Sequence, residues 1–120
     1  MIGKEDIRDA VREIPVGWDI AFGDALTDEL YEAAIRDKMG DDWCVLQAKE
    51  KFGELRIYPT GYGDNIEAVI DKYEELSRHT CAWCGKPATR VALGWISPYC
   101  DTCMAKHGGQ SVAIEEFRLW

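Results

Sequence analysis

With 120 residues, 47% of them hydrophobic and 30% charged, the chain is long enough to bury one core and too short for two independent ones. Five Trp and five Tyr exclude a disordered composition, and a formal charge of −8 argues against direct binding to duplex DNA, which needs a clustered Lys/Arg surface. No stretch approaches the roughly 18 apolar residues of a membrane span, and Met1-Ile2-Gly3-Lys4-Glu5-Asp6 carries no apolar leader core, so no membrane association and a cytoplasmic setting are expected.

Ile7, Ala10, Val11 and Ile14 recur at helical spacing before Pro15 and predict a short first helix. A second helix is predicted from about Asp24 to Met39, with Leu26, Leu30, Ala33 and Ala34 on one face and Gly40 as its C-terminal stop. Trp43 to Ala48 and Leu55 to Ile57 alternate like strands around a Phe52-Gly53 hairpin turn. Asp64 and Glu67 have the spacing of a capping box, opening a helix with Ile66, Val69, Ile70, Tyr73 and Leu76 on one side. Beyond His79 the helical period stops. Thr89–Leu93 and Trp95–Tyr99 read as two short strands around Gly94, Gly108-Gly109 ends a short helix after Cys103, and Ser111–Trp120 reads equally as a returning strand or a docked helix.

The cysteines carry the strongest chemical signal. In a reducing compartment, Cys-x-x-Cys pairs point to metal or redox chemistry rather than disulfides. Cys81-Ala82-Trp83-Cys84-Gly85 lets two thiolates reach one ion around a tight knuckle, with Gly85 free to adopt positive φ. Cys100-Asp101-Thr102-Cys103 follows after fifteen residues, a separation suited to a structural zinc site. Neither pair opens a helix within a βαβ pattern, which disfavours a thioredoxin-like redox site. Cys81, Cys84, Cys100 and Cys103 are therefore expected to hold one structural Zn²⁺. The order knuckle, hairpin, helical turn resembles a treble clef more than a two-knuckle ribbon. His107 is an alternative ligand, His79 a surface residue, and Cys44 a small buried hydrophobe.

These elements predict an α+β fold in which helices pack on a small antiparallel sheet and a four-cysteine, treble-clef-like finger extends it. The expected division is an α+β core over residues 1–79, the finger over 80–109 and a segment over 110–120 that docks on the core, all in one unit. Residues 78 to 107 carry a balance of +3, leaving −11 elsewhere, and zinc thiolates offset most of that excess, so no strong basic patch results.

Four thiolates leave no coordination position for a reactive water, so the site reads as structural and the chain as no enzyme. A zinc deaminase needs His-x-Glu before Pro-Cys-x-x-Cys, and the chain has neither element in that form. A treble-clef nuclease needs histidines for base and metal. Only His79 and His107 are present, neither between the cysteine pairs.

Trp83 at the knuckle tip is a candidate partner anchor, the alternative being packing on Trp95, Tyr99 or the preceding helix. Trp95 and Tyr99 are themselves expected in the core. Lys49, Lys51 and Arg56 collect around the hairpin in an acidic half, where they suit a phosphate or carboxylate, including a small nucleotide signal, or serve simply as solvated edge residues. The acidic helix faces read as solvated surface or as a mimic of nucleic-acid phosphates.

The run Gln47-Ala48-Lys49-Glu50-Lys51-Phe52-Gly53-Glu54-Leu55-Arg56-Ile57-Tyr58, a helix ending in Ser77, Thr80-Cys81 through Gly85, and Gly94-Trp95-Ile96 leading to Cys100 together resemble a family of small uncharacterised proteins from bacteriophages and bacteria. The likeness covers residues 16 to 104 and rests on Lys-Phe-Gly-x-Leu-Arg combined with the knuckle. In that family the last ligand is often histidine, where this chain has Cys103. The resemblance brings no catalytic residues and implies phage or prophage origin. The function it suggests is non-enzymatic binding of a bacterial host protein, in the host cytoplasm, with inhibition of an antiviral defence system in an anti-CRISPR-like manner as its specific form. A treble-clef nuclease and a nucleotide-signal binder are the alternatives. Nothing in the residues requires or forbids a symmetric homodimer.

Overall fold

The computed structural model describes residues 1–120. Helix α1 (Lys4–Val11) buries Ile7 and Val11, one turn apart on one face, and places Glu5 and Asp6 where the helix dipole favours acidic groups. Pro15 precedes a longer helical run that begins at Val16 and whose segments are α2 (Val16–Trp18), a π-helical stretch (Asp19–Gly23) and α3 (Asp24–Arg36). The predicted start at Asp24 is therefore eight residues late. Trp18, Phe22, Leu26 and Leu30, each four residues after the last, are all buried. Positions four apart drift around a 3.6-residue helix, and the wider π turn partly restores their alignment. Arg8 fixes this junction, its guanidinium reaching Asp19 at 2.7 Å and Asp24 at 3.0 Å.

The C-terminal stop also differs from expectation. Lys38, with φ of 58°, takes the left-handed position assigned to Gly40. Lys38 N–H donates to the Ile35 carbonyl and Met39 N–H to that of Ala34, both at 3.0 Å, which is the bonding of a Schellman motif.

Strands β1 (Val45–Lys51) and β2 (Glu54–Pro59) form an antiparallel hairpin in which Lys51 faces Glu54. Phe52 and Gly53 both have positive φ, as the expected two-residue turn demands of a right-twisted hairpin. Ala48, Leu55 and Ile57 face the core. Helix α1 packs on β1 and α4 (Asp64–Arg78) on β2, while α3 touches both helices.

Asp64 does not cap α4, as its spacing with Glu67 predicted. Gly63 holds the cap position without a side-chain bond, and Asp37, just past α3, accepts from the amides of Asn65 at 3.1 Å and Ile66 at 2.8 Å. Burial works against the Asp37 carboxylate, yet these amides and the Asn65 side chain outweigh it and hold its pKa below the ordinary value. Helix α4 also covers the outer edge of β2, where Ser77 Oγ accepts from Leu55 N–H at 3.0 Å. Glu54, at the start of β2, is buried between Arg56 and Arg78, each 3.1 Å away. The Tyr73 hydroxyl and Lys72 both meet Glu29, tying α4 to α3.

The last third forms a separate three-stranded antiparallel sheet ordered β4-β3-β5, with β3 at Arg90–Ala92, β4 at Ser97–Tyr99 and β5 at Ser111–Ala113. Of the undecided tail, Ser111–Ala113 is a strand, paired on β3. A 3₁₀ turn (Ile114–Glu116) follows, and Trp120 Nε1–H donates to the Phe52 carbonyl at 2.9 Å. No helix is long and apolar enough to cross a membrane.

Candidate metal centre and the surface around it

Helix α4 delivers the chain into the first knuckle. Cys81 N–H donates to the Lys86 carbonyl at 2.7 Å and Gly85 N–H to the Cys81 carbonyl at 3.0 Å, closing the turn with Gly85 at φ 83°. A side chain at Gly85 would be strained by that φ and would meet the Gly17 carbonyl at 2.7 Å. The β3–β4 hairpin braces the knuckle from the other side, Ala82 N–H reaching the Pro98 carbonyl at 3.0 Å. Cys100 then caps α5 (Asp101–Cys103), which continues as a π turn (Met104–Gly108), and its Sγ accepts from Cys103 N–H at 3.5 Å. Knuckle, hairpin and helix follow one another in treble-clef order.

This arrangement gathers Cys81, Cys84, Cys100 and Cys103, all unpaired thiols, so that their sulfur atoms lie within 4.8 Å of one another. Cys84 and Cys100 Sγ are 3.7 Å apart. Metal–sulfur bonds of about 2.3 Å in a tetrahedron set adjacent sulfurs about 3.8 Å apart, so the four residues are positioned to hold a metal ion. Burial opposes ionisation of Cys81, but the backbone amides of Cys100, Cys84 and Trp83 prevail and bring its thiol down to about 7. Cys103 is pushed up to about 12 by burial and by the other three sulfurs. Crowded thiolates repel one another, and a cation at their centre reverses that repulsion.

The centre is fused to the helical core. Gly17 N–H donates to the Ala82 carbonyl at 2.8 Å, and a Cβ on Gly17 would run into the Cys81 carbonyl. Trp18, fully buried, donates Nε1–H to the Thr80 carbonyl at 2.9 Å. Ala82 belongs to the same buried cluster as Leu26 and Leu55.

Other candidates fall in different places. His107 is not among the clustered ligands; its ring stacks on Trp83 with centroids 4.2 Å apart and planes inclined by 17°. His79 lies exposed on the end of α4, 3.3 Å from Glu75. Cys44 is half-buried just before β1, not fully buried as expected. Trp83 remains 46% exposed.

Lys49 faces Arg56 across the hairpin. Lys51 and Arg56 line one groove of about 370 Å³ with Glu67, Asp71 and Glu74, so carboxylates outnumber cations there. Burial, with the nearby charges of Glu54 and Asp71, holds Glu74 above the ordinary carboxyl range despite Arg56. Lys49 lies over the Tyr58 ring, 5.9 Å from its centroid. Lys49 itself is not among the residues that line the groove.

Trp95 is the residue most displaced from expectation, being 76% exposed on the β3–β4 loop instead of buried. It lines a cavity of about 250 Å³ beside the knuckle together with Trp83, Tyr99 and Glu50. The available signal was its position next to Gly94, in a turn between strands of three residues each. Such a short hairpin has little apolar surface under which to bury an indole. No family model, curated protein or solved structure matches the chain.

Proposed function

We propose that this is a zinc-stabilised, non-enzymatic binding protein whose knuckle face engages a bacterial protein. Four thiolates in tetrahedral reach suit zinc, and a closed set of four leaves no site for a reactive water. The carrying observation is the pair of exposed tryptophans, Trp83 and Trp95, lining one cavity against a knuckle fixed by metal and core alike. Large apolar groups in solvent mark an interaction surface, and tryptophans on a rigid support are effective anchors.

The phage-like residue pattern of 16 to 104 supports a phage or prophage origin, with inhibition of a host antiviral system as the specific role. The net charge of −8 suits a basic partner surface. The histidines favour binding over nuclease chemistry, since neither lies between the cysteine pairs, where a treble-clef nuclease carries its base.

Trp83→Ala, half-exposed and outside the ligand set, is expected to keep one zinc per chain by native mass spectrometry. Affinity capture from bacterial lysate with this variant is expected to lose a protein that the parent retains. Equal capture by the two would remove the knuckle face from the reading, and a chain purified without zinc would remove its metal.

A further inference from the structure

The cavity shared by Trp83 and Trp95 has a chemistry of its own. Its aromatic walls are Trp83, Trp95 and Tyr99, and the remaining lining includes Val16 and Ala82 but no Lys, Arg or His. Its single carboxylate is Glu50, from β1. Glu50 Oε2 accepts from Gly53 N–H at 2.8 Å, which anchors the side chain on the hairpin turn, and the carboxylate takes part in none of the molecule's ion pairs. An anchored carboxylate outside any ion pair, among three electron-rich rings in a chain of net charge −8, is complementary to an organic cation.

Resting on the binding reading above, the geometry points to an arginine side chain of the partner protein as the occupant of this cavity. A guanidinium is planar and weakly hydrated, stacks on indole faces, and can donate to Glu50 while doing so. A lysine ammonium is more strongly hydrated and gives up more on leaving water. The cavity draws on segments distant in sequence: Glu50 from the hairpin, Trp83 from the knuckle, and Trp95 and Tyr99 from the finger sheet. It therefore forms only when the finger is docked on the core.

The test titrates the intact zinc-loaded protein with Nα-acetyl-arginine amide and, separately, with its neutral isostere Nα-acetyl-citrulline amide, following tryptophan fluorescence and amide chemical shifts. Saturable perturbation of Trp83 and Trp95 by the arginine probe is expected, with citrulline weaker by about tenfold. Glu50→Gln keeps an acceptor for Gly53 N–H while removing the charge, and is expected to weaken arginine binding to the level of citrulline. Trp95→Ala, at an exposed position, is expected to do the same with zinc content unchanged. Equal binding of arginine and citrulline, undiminished binding by Glu50→Gln, or tighter binding of the matching lysine or trimethyllysine amide would each overturn the assignment. Loss of partner capture by Trp83→Ala but not by Glu50→Gln would leave the binding reading standing and remove only the arginine.

Discussion

Gly17 sits where a helix meets the knuckle backbone closely enough that no Cβ fits against the Cys81 and Ala82 carbonyl groups. Gly17→Ala must push α2 away from the finger, and is expected to lower stability by about 1–3 kcal/mol in urea unfolding, as overpacking does. On the zinc reading, the variant should also release its metal faster to a chelator, because the displaced carbonyl belongs to Cys81 of the cysteine cluster. Gly17 is silent in the sequence: a glycine between Val16 and Trp18 reads as a helix weakness, and only the partner backbone gives it a reason. Gly85 is the opposite case. Its place after Cys84 announces a positive φ, and the structure has 83° there. The clustering of the four cysteines was equally legible, since the spacing of a Cys-x-x-Cys pair is dictated by the reach of two side chains to one ion.

Among the elements, α4 carries the clearest contrast between local and tertiary control. Its existence follows from apolar periodicity, but its cap comes from Asp37, in the turn just past α3. Asp37→Ala is expected to lower the melting temperature, whereas Asp64→Ala should leave it nearly unchanged; the reverse order would restore the local capping box. The pH dependence has a definite sign. Asp37 has a folded-state pKa below its ordinary 3.8, so the folded chain binds fewer protons than the unfolded one as pH falls toward that value. Its contribution is complete above the ordinary value and is lost as pH drops through the depressed one. Acid unfolding of Asp37→Ala should accordingly show a shallower loss of stability below about pH 4 than the parent does. The Schellman turn that aims Asp37 uses Lys38 in place of glycine, a choice that no propensity argument anticipates.

For the molecule as a whole, the finger and the helical core are joined by the Gly17 backbone N–H and the Trp18 indole N–H, and the tail closes the circuit by pairing β5 with β3 and placing Trp120 on the Phe52 carbonyl. Removing metal with a strong chelator is expected to erase hydrogen-exchange protection at Val91 and Ala92 first, because β3 has only three residues and no large core of its own. The β1–β2 hairpin, backed by Ala48, Leu55 and Ile57, should stay protected longer. Simultaneous loss in both regions would show that metal, finger and core form one cooperative unit. On the zinc reading, added zinc should raise the melting temperature in proportion to the logarithm of its free concentration, because only the folded chain gathers the four cysteines.

By itself the sequence determined the α+β class, the helices α1 and α4, the two-residue hairpin turn and which four cysteines gather into one cluster. Each depends on spacing along a few neighbouring residues, which chain geometry alone constrains. Only the tertiary structure decided the early start at Val16, the cap from Asp37, the strand at Ser111–Ala113 and the exposure of Trp95. Those outcomes turn on which backbone groups and apolar faces meet across the fold, and no local pattern encodes a partner dozens of residues away.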